Sequence, residues 1–129
     1  MKLIALTGLS KESLDDLVSR GIKTFEMRST HNIIAFSELK PGDQVYVTDV
    51  VPPDLSEGQC GVVAMIRGID IRMHRVSYGY PGGSEEVETM AARVQLKISA
   101  RARIRQVNPI EMYKPITIDA FEIRSCEAR

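Results

Sequence analysis

The stretch that decides the fold is Ala91–Val107, whose sequence is AARVQLKISARARIRQV. Apolar and polar side chains alternate along it, and a period of two is typical of a β-strand with one buried face. The predicted buried face carries Val94, Leu96, Ile98, Ala100, Ala102 and Ile104. The other face carries Arg93, Gln95, Lys97, Ser99, Arg101, Arg103 and Arg105. We therefore predict one long, half-buried strand here.

Further strands are predicted on both sides of this segment, because apolar and β-branched residues favour strands. They are Lys2–Leu6, Ile22–Arg28, Val45–Val51, Gly61–Val76 and a segment within Pro115–Ser125. Gly61–Val76 is either one long strand or two strands joined at Gly68, where a bulge is plausible. Tyr78–Glu88 contains three glycines and a proline, a composition that predicts a mobile loop.

One helix is predicted, at residues 10–20. Ser10 is a suitable N-cap, Glu12 lies in the first turn, and Gly21 follows the last turn, which are the usual signals at the two ends of a helix. Residues 30–39 are ambiguous between a short helix and an irregular crossing. Long strands, one helix and irregular connections favour a mainly β (α+β) fold with a closed or nearly closed sheet.

The length and composition indicate one globular domain, residues 1–129, without a membrane span. The longest uncharged apolar run is Val62–Ile66, far shorter than the ~18 residues that a spanning helix needs. Cys60 and Cys126 could form one disulfide, but two free thiols in a reducing cytoplasm are predicted instead. Together with His31 and His74 they show no zinc-ligand spacing, so no metal and no cofactor is expected.

The charges are balanced overall but not along the chain. Residues 1–66, 67–105 and 106–129 carry net charges of −3, +4 and −1, so an anionic ligand is expected at the middle segment. There, Arg101, Arg103 and Arg105 would stand on one strand face ~6.5–7 Å apart. That spacing is close to the ~6–7 Å between successive phosphates of a nucleic-acid strand. The alternative is a solvated face whose arginines pair with neighbouring carboxylates.

Two other strands carry polar side chains that could form a site. Asp70, Arg72 and His74 alternate with apolar residues in IDIRMHR, so they would share one face, either as a phosphate site or as a surface salt-bridge ladder. In GIKTFEMR (residues 21–28), Lys23 would face the side opposite Thr24 and Glu26. These residues are either candidates for acid–base or nucleophilic chemistry, or the polar face of an edge strand.

The order of motifs resembles the ASCH-type domain of the PUA-like superfamily. The pattern G-x-K-x-x-E-x-R at Gly21–Arg28 is followed by the turn KPGD at Lys40–Asp43, the strand VYVTDV and a strand that opens at Gly61. The resemblance covers residues 9–75. The whole chain also resembles an uncharacterised archaeal family, which opens with a similar KLIALTG segment and carries a similar MHR segment.

The ASCH resemblance implies a β-barrel of about five or six strands with a cleft beside the helix, and a role in binding RNA or nucleotides. Lys23, Glu26 and Arg28 match the cleft motif, and Arg72, His74, Arg93 and the arginine row could hold phosphates. Some ASCH relatives are amidohydrolases of acylated cytidine that use a lysine and a threonine three positions later. Here that position is Glu26 and the threonine is Thr24. Lys23, Thr24 and Glu26 are therefore candidate catalytic residues, and no catalytic role is assigned to them.

Three functions follow from these patterns. The first is a PUA-like module that binds RNA, a nucleotide or a modified base. The second is a small amidohydrolase acting on N-acylated nucleosides, with Lys23 at its centre. The third is a protein-interaction module whose contact surface is the Tyr78–Glu88 segment, with its tyrosines and acidic run.

Overall fold

The computed structural model describes residues 1–126. Residues 127–129, which the predicted domain includes, lie outside the described chain. Within it the fold is mainly β, as predicted. The strands are β1 (Lys2–Leu6), β2 (Ile22–Met27), β3 (Gln44–Val47), β4 (Cys60–Tyr80), β5 (Gly83–Val107) and β6 (Thr117–Ile123). The helices are α1 (Lys11–Arg20) and α2 (Thr30–Ala35), and Pro52–Asp54 form a 3-10 turn.

The strands form one sheet in the order β2-β5-β4-β3-β1-β6, and β6 also pairs with β5. The second pairing joins β5, β4, β3, β1 and β6 into a closed circuit of hydrogen-bonded neighbours. β2 lies outside this circuit and is attached to β5. β1 and β3 run parallel and the other pairs are antiparallel. Since parallel strands need a crossover connection, α1, β2 and α2 lie between β1 and β3 in the sequence.

The sheet is buried on both faces by two separate apolar clusters. One cluster draws on all five strands of the circuit and contains Leu3, Ala5, Tyr46, Val63, Ala102, Ile104, Ile116, Ile118 and Ala120. The other covers the opposite side of β1, β3, β4 and β5. It joins Val45, Val62 and Leu96 to Phe25 of β2, Leu17 of α1 and Ala35 of α2. The helices and β2 therefore pack together on the outer side of the circuit.

The predicted caps of α1 are confirmed. Ser13 N donates a hydrogen bond to Ser10 Oγ, and Gly21 adopts the left-handed conformation (φ 82°) while its N–H donates to Leu17 O. Glycine favours this conformation because it has no Cβ. The ambiguous segment after β2 contains the short helix α2. Neither of the helices in residues 1–126 is long and apolar enough to cross a membrane.

The strand predictions hold for β1, β2 and β6 within two residues, but β3 is shorter than predicted. It ends at Val47 rather than Val51, because the side chain of Thr48 accepts a hydrogen bond from Val50 N and bends the chain. The predicted bulge at Gly68 is confirmed, since the register between β4 and β5 shifts between Ile66 and Gly68.

The predicted mobile loop at Tyr78–Glu88 is wrong. β4 and β5 stay paired residue by residue from Asp70↔Arg93 to Tyr80↔Gly83. Gly82 takes a positive φ of 98° in the turn between them, and the Pro-Gly pair is typical of a tight turn. The glycines and glutamates thus reflect exposure rather than an irregular backbone. We call this two-stranded segment, residues 70–93, the arm.

The prediction of two free thiols is also wrong. Cys60 and Cys126 form a disulfide, with their Cα atoms 5.6 Å apart. The sheet explains the pairing, because Cys60 at the start of β4 pairs with Arg103 and Ile123 of β6 pairs with Arg101. The chain that leaves β6 therefore reaches the start of β4. A separation of 66 residues conceals this proximity in the sequence.

Candidate functional site

A cavity of about 600 Å³ lies along the outer edge of β2. It is lined by residues 23–29, the loop of residues 7–10, the first residues of both helices, and Val51 with Pro52. β2 pairs with β5 on one side only, and every residue from Lys23 to Ser29 lines the cavity. The backbone N–H and C=O groups on the other edge of β2 are therefore open to a ligand in it.

The structure brings four of the predicted site residues to this cavity: Lys23, Thr24, Glu26 and Arg28. They lie on one short strand, whose alternation buries Phe25 and Met27 against the core and leaves Thr24, Glu26 and Arg28 exposed. The exposed residues of the motif thus form a row of side chains at the edge of the sheet.

Lys23 is held by α1. Its Nζ donates to Asp16 Oδ2 at 3.1 Å, and its side chain is half-buried. Lys23 lies on the buried side of the strand with Phe25, whereas Thr24 lies on the exposed side, as the sequence predicts. The ammonium is therefore held in place between helix and strand by the carboxylate of Asp16.

Glu26 and Arg28 form an exposed ion pair of 3.4 Å at the mouth of the cavity. The strand register places Arg93 of β5 opposite Glu26 and opposite Asp70 of β4. Among residues 1–126, Arg93 makes no salt bridge. The guanidinium of Arg93 thus lies between the positions of Glu26 and Asp70 on the exposed face, on the strand next to residues 21–28, and forms no ion pair with either of them.

The floor of the cavity is built by two residues that the sequence did not single out for function. Asn32 is 2% exposed, accepts a hydrogen bond from Thr7 N and donates one to Thr7 O. His31 Nδ1 is buried and has no partner in the part of the chain that is described. Asn32 directly precedes the apolar run Ile33–Phe36 in the sequence. A polar residue beside such a run was the available signal, because buried amides usually have hydrogen-bond partners.

The N-terminus of α1 also opens on the cavity. Ser10 and Ser13 line it, and Ser10 Oγ donates to Ser13 Oγ at 2.8 Å while capping the helix. Hydroxyls and the positive end of a ten-residue helix dipole favour an anionic or hydrogen-bonding ligand. Lys23 lines the same cavity as these two serines.

Arg72 and His74 lie on the arm rather than at the cavity. Arg72 Nε donates to Asp70 Oδ2 at 2.8 Å, and His74 is exposed opposite Thr89. Since Asp70 pairs with Arg93, Arg72 and His74 continue the exposed face that begins at Glu26. They do not form a compact site with Lys23.

The arginine row is engaged within the chain. Arg101 Nη1 donates to Cys126 Sγ at 3.1 Å, and Arg103 Nη1 donates to Gly58 O at 2.8 Å. Arg105 lies 3.9 Å from Asp119 Oδ2 and over the ring of Phe121, 5.4 Å from its centroid. The row pairs with β6, whereas the cavity lies where β5 pairs with β2, so the structure does not bring the two together.

Comparison with known proteins gives two matches. The family described as Protein of unknown function (DUF473) matches residues 1–118. A protein of Methanocaldococcus jannaschii named Uncharacterized protein MJ0105 is 29% identical over 103 residues, which are 80% of this chain and 64% of that protein. The chain thus spans less than two thirds of that relative. No solved structure gives a significant match.

Proposed function

Because this chain belongs to the DUF473 family, whose description names no activity, we propose its function from the cavity: a PUA-like module that binds RNA, a nucleotide or a modified base without a cofactor. Its closed circuit of five strands would correspond to the barrel of that superfamily. The residues proposed to contact the ligand are Lys23, Glu26 and Arg28 in the cavity, with Arg93, Arg72 and His74 on the adjoining face.

One observation carries the proposal. The motif side chains Lys23, Glu26 and Arg28 line one cavity whose wall is the free edge of a β-strand. A free strand edge offers alternating N–H donors and C=O acceptors, which match the hydrogen-bonding edge of a nucleobase. The volume of about 600 Å³ is in the usual range for a small-molecule site.

Basic side chains around the cavity support an anionic ligand. Lys23 and Arg28 are paired with Asp16 and Glu26, whereas Arg93 on the neighbouring strand makes no salt bridge among residues 1–126. Arginine suits phosphate because its planar group donates two parallel hydrogen bonds. Arg101, Arg103 and Arg105 are left out of the proposed phosphate contacts, because they lie where β5 runs beside β6, away from the cavity.

The test is a binding titration of short single-stranded RNA at two salt concentrations. Wild-type protein should bind at low salt, and log K should fall with log [salt] by roughly 0.7 for each phosphate contact. Arg28→Ala and Arg93→Ala should each weaken binding and reduce that slope by about one contact. Affinity that does not change with salt would contradict phosphate contacts.

A matched control is Arg124→Ala. Arg124 is exposed, does not line the cavity, and follows the end of β6. The Arg124→Ala variant should bind RNA with the wild-type affinity and with the same dependence of log K on log [salt]. An equal loss in Arg124→Ala and Arg28→Ala would indicate unspecific attraction to surface charge instead of a site.

The Lys23→Ala variant distinguishes the amidohydrolase hypothesis from ligand binding without catalysis. The Asp16 partner of Lys23 and the opposite orientations of Lys23 and Thr24 favour a fixed cation over a nucleophile. We expect no acetate release from N-acetylcytidine above the level of Lys23→Ala. A wild-type rate about 100-fold or more above that variant, the usual scale for an acid–base group, would establish the hydrolase instead.

A further inference from the structure

We infer that the arm extends the proposed RNA site, so that a single-stranded RNA of about five or more nucleotides runs from the cavity along the arm and stacks on Tyr78 and Tyr80. This inference rests on the proposed function and adds to it. It specifies a polymer instead of a mononucleotide, and it assigns a role to Tyr78 and Tyr80, which lie beyond residues 9–75, the region of ASCH resemblance.

The register of the sheet places the cavity mouth and the tyrosines on one face. Glu26 lies opposite Arg93, and Arg93 lies opposite Asp70. Every second residue of β4 beyond Asp70 lies on the same face, and this series includes Arg72, His74, Tyr78 and Tyr80. A chain that leaves the cavity past Arg28 and Arg93 can therefore follow this face to the tyrosines.

The two tyrosines have the geometry of a stacking platform. They are 57% and 56% exposed and stand ~6.5–7 Å apart on one strand, close to the ~6–7 Å between successive nucleotides of an extended strand. The ring of Tyr80 lies against Gly83 on the partner strand, where an added Cβ would meet ring atoms at 3.2 Å. One face of this ring is thus seated on the backbone and the other is open to a base.

The length of the arm sets the length of the RNA. Ten residues separate Asp70 from Tyr80, which at ~3.3 Å per residue is about 33 Å. A stacked strand rises about 3.4 Å per nucleotide and an extended strand rises more, so roughly ten nucleotides or fewer connect the cavity to the tip. A trinucleotide can occupy the cavity but cannot reach the tyrosines at the same time.

Acidic side chains lie on both faces of the arm. Glu86 and Glu88 lie on the face opposite the tyrosines, where Glu88 pairs with Arg75 at 2.8 Å. Asp70 and Glu85 lie on the proposed RNA face, where Asp70 forms an ion pair with Arg72 and Glu85 lies opposite Tyr78. The apolar side chains Ile71, Met73 and Met90 also belong to the face that carries Glu88, so a second protein copy would be expected to use that face instead.

The experiment compares oligouridylates of three and ten nucleotides on the full chain at low salt by fluorescence anisotropy. Wild-type protein should bind the decamer about 10-fold or more tighter than the trimer, the scale of one or two stacked bases. Tyr78→Ala/Tyr80→Ala should lose this difference and keep its trimer affinity. Tyr78→Phe/Tyr80→Phe should keep both affinities, because the stacking ring is retained.

Three further variants serve as controls for the tyrosines and for the charge of the arm. Tyr113→Ala removes a tyrosine that is 79% exposed elsewhere and should bind both oligomers as wild type does. Glu85→Gln should bind the decamer about twofold or more tighter, since a carboxylate facing the phosphates is removed. Glu86→Gln, one residue away on the opposite face, should leave the affinity unchanged.

The outcomes separate this inference from the function on which it rests. Equal binding of trimer and decamer by wild type overturns the role of the arm and leaves the cavity as a nucleotide site. The same conclusion follows if the Tyr78→Ala/Tyr80→Ala variant still binds the decamer more tightly than the trimer. Absence of binding by both oligomers overturns the inference and the proposed function together. A variant that changes only the oligomeric state, measured by light scattering, identifies the arm as a protein-contact surface.

Discussion

Two hydrogen bonds fix the side chain of Asn32 to the backbone of Thr7, on the floor of the cavity. Both residues are buried, so the N–H and C=O of Thr7 depend on this amide. An unsatisfied buried polar group costs about 1–3 kcal/mol. Thr7, at the start of the loop that lines the cavity, is thus held by a side chain from α2, while Gly8 N and Leu9 N donate to Val50 O and Thr48 O.

Asn32→Ala should lower the free energy of unfolding by about 2–4 kcal/mol, because two backbone groups lose their partners. Urea denaturation measures this. Asn108→Ala is the matched control, since Asn108 is only half-buried and its side chain donates one bond, to Thr117 Oγ1. It should cost about 1 kcal/mol or less. Equal losses in the two variants would contradict the role assigned to Asn32.

The pH dependence of stability should reveal Tyr46. Burial, with a smaller contribution from Asp49, raises the pKa of Tyr46 from 10.0 to about 12. The folded pKa therefore lies above the unfolded one, so this contribution is fully present below about pH 10 and is lost as the pH rises through 12. Its size is roughly 2–3 kcal/mol.

Tyr46→Phe keeps the ring but removes the ionisable hydroxyl, which donates to Gln59 O at 3.4 Å. Between about pH 9 and 11.5, wild type should therefore lose more stability than Tyr46→Phe. Tyr113→Phe, at an exposed position, should follow wild type. Parallel curves for wild type and Tyr46→Phe across this range would show that the hydroxyl is not the titrating group.

At the scale of single residues, the sequence was informative where spacing determines position. The two-residue period of β2 correctly predicts that Lys23 faces the other side of the strand from Thr24, Glu26 and Arg28. The sequence could not identify Asn32 or His31 as cavity residues, because their positions depend on how α2 packs against β1. It also could not decide whether Arg101, Arg103 and Arg105 were paired, since their partners Gly58, Asp119 and Cys126 come from other elements.

Among the elements, the disulfide between β4 and the segment after β6 is the main unpredicted link. It closes a loop of 66 residues, and restricting a chain of that length in the unfolded state stabilises a fold by about 2–4 kcal/mol. A reductant should therefore lower the midpoint of urea unfolding of wild type. Cys126→Ser should start at the lower midpoint and show no response to the reductant.

The control for this prediction is chemical. A thiol count under denaturing conditions without reductant should find no free thiol in wild type, because Cys60 and Cys126 are paired. Two free thiols, together with a midpoint that the reductant leaves unchanged, would show that the thiols are reduced in solution.

The elements were predicted well where the sequence carries a local signal. The caps of α1, the strand β1 and the bulge at Gly68 all follow from residues within a few positions. The arm was missed because its glycines and glutamates are typical of loops, whereas its pairing depends on β4 and β5 continuing in register beyond the core. A two-stranded segment exposed on both faces has no apolar alternation to mark it.

For the whole molecule, the closed circuit explains why the cavity lies where it does. β5 pairs with β6 at one part of its outer edge and with β2 at another, so β2 ends the sheet with a free edge. The helices that connect β1 to β3 pack beside that edge. The sequence predicted a mainly β fold and these motif residues, but the strand order depends on pairings between distant segments that no local pattern specifies.

The central claim is that the cavity along β2 binds nucleic acid. The most direct measurement is a titration of ¹⁵N-labelled protein with a single-stranded RNA decamer, followed by amide chemical shifts at low salt. Shifts concentrated at residues 23–29 and 7–10, and reversed by added salt, are the predicted result. Shifts that are absent, or that occur at residues 101–105 and leave β2 unchanged, would contradict the account.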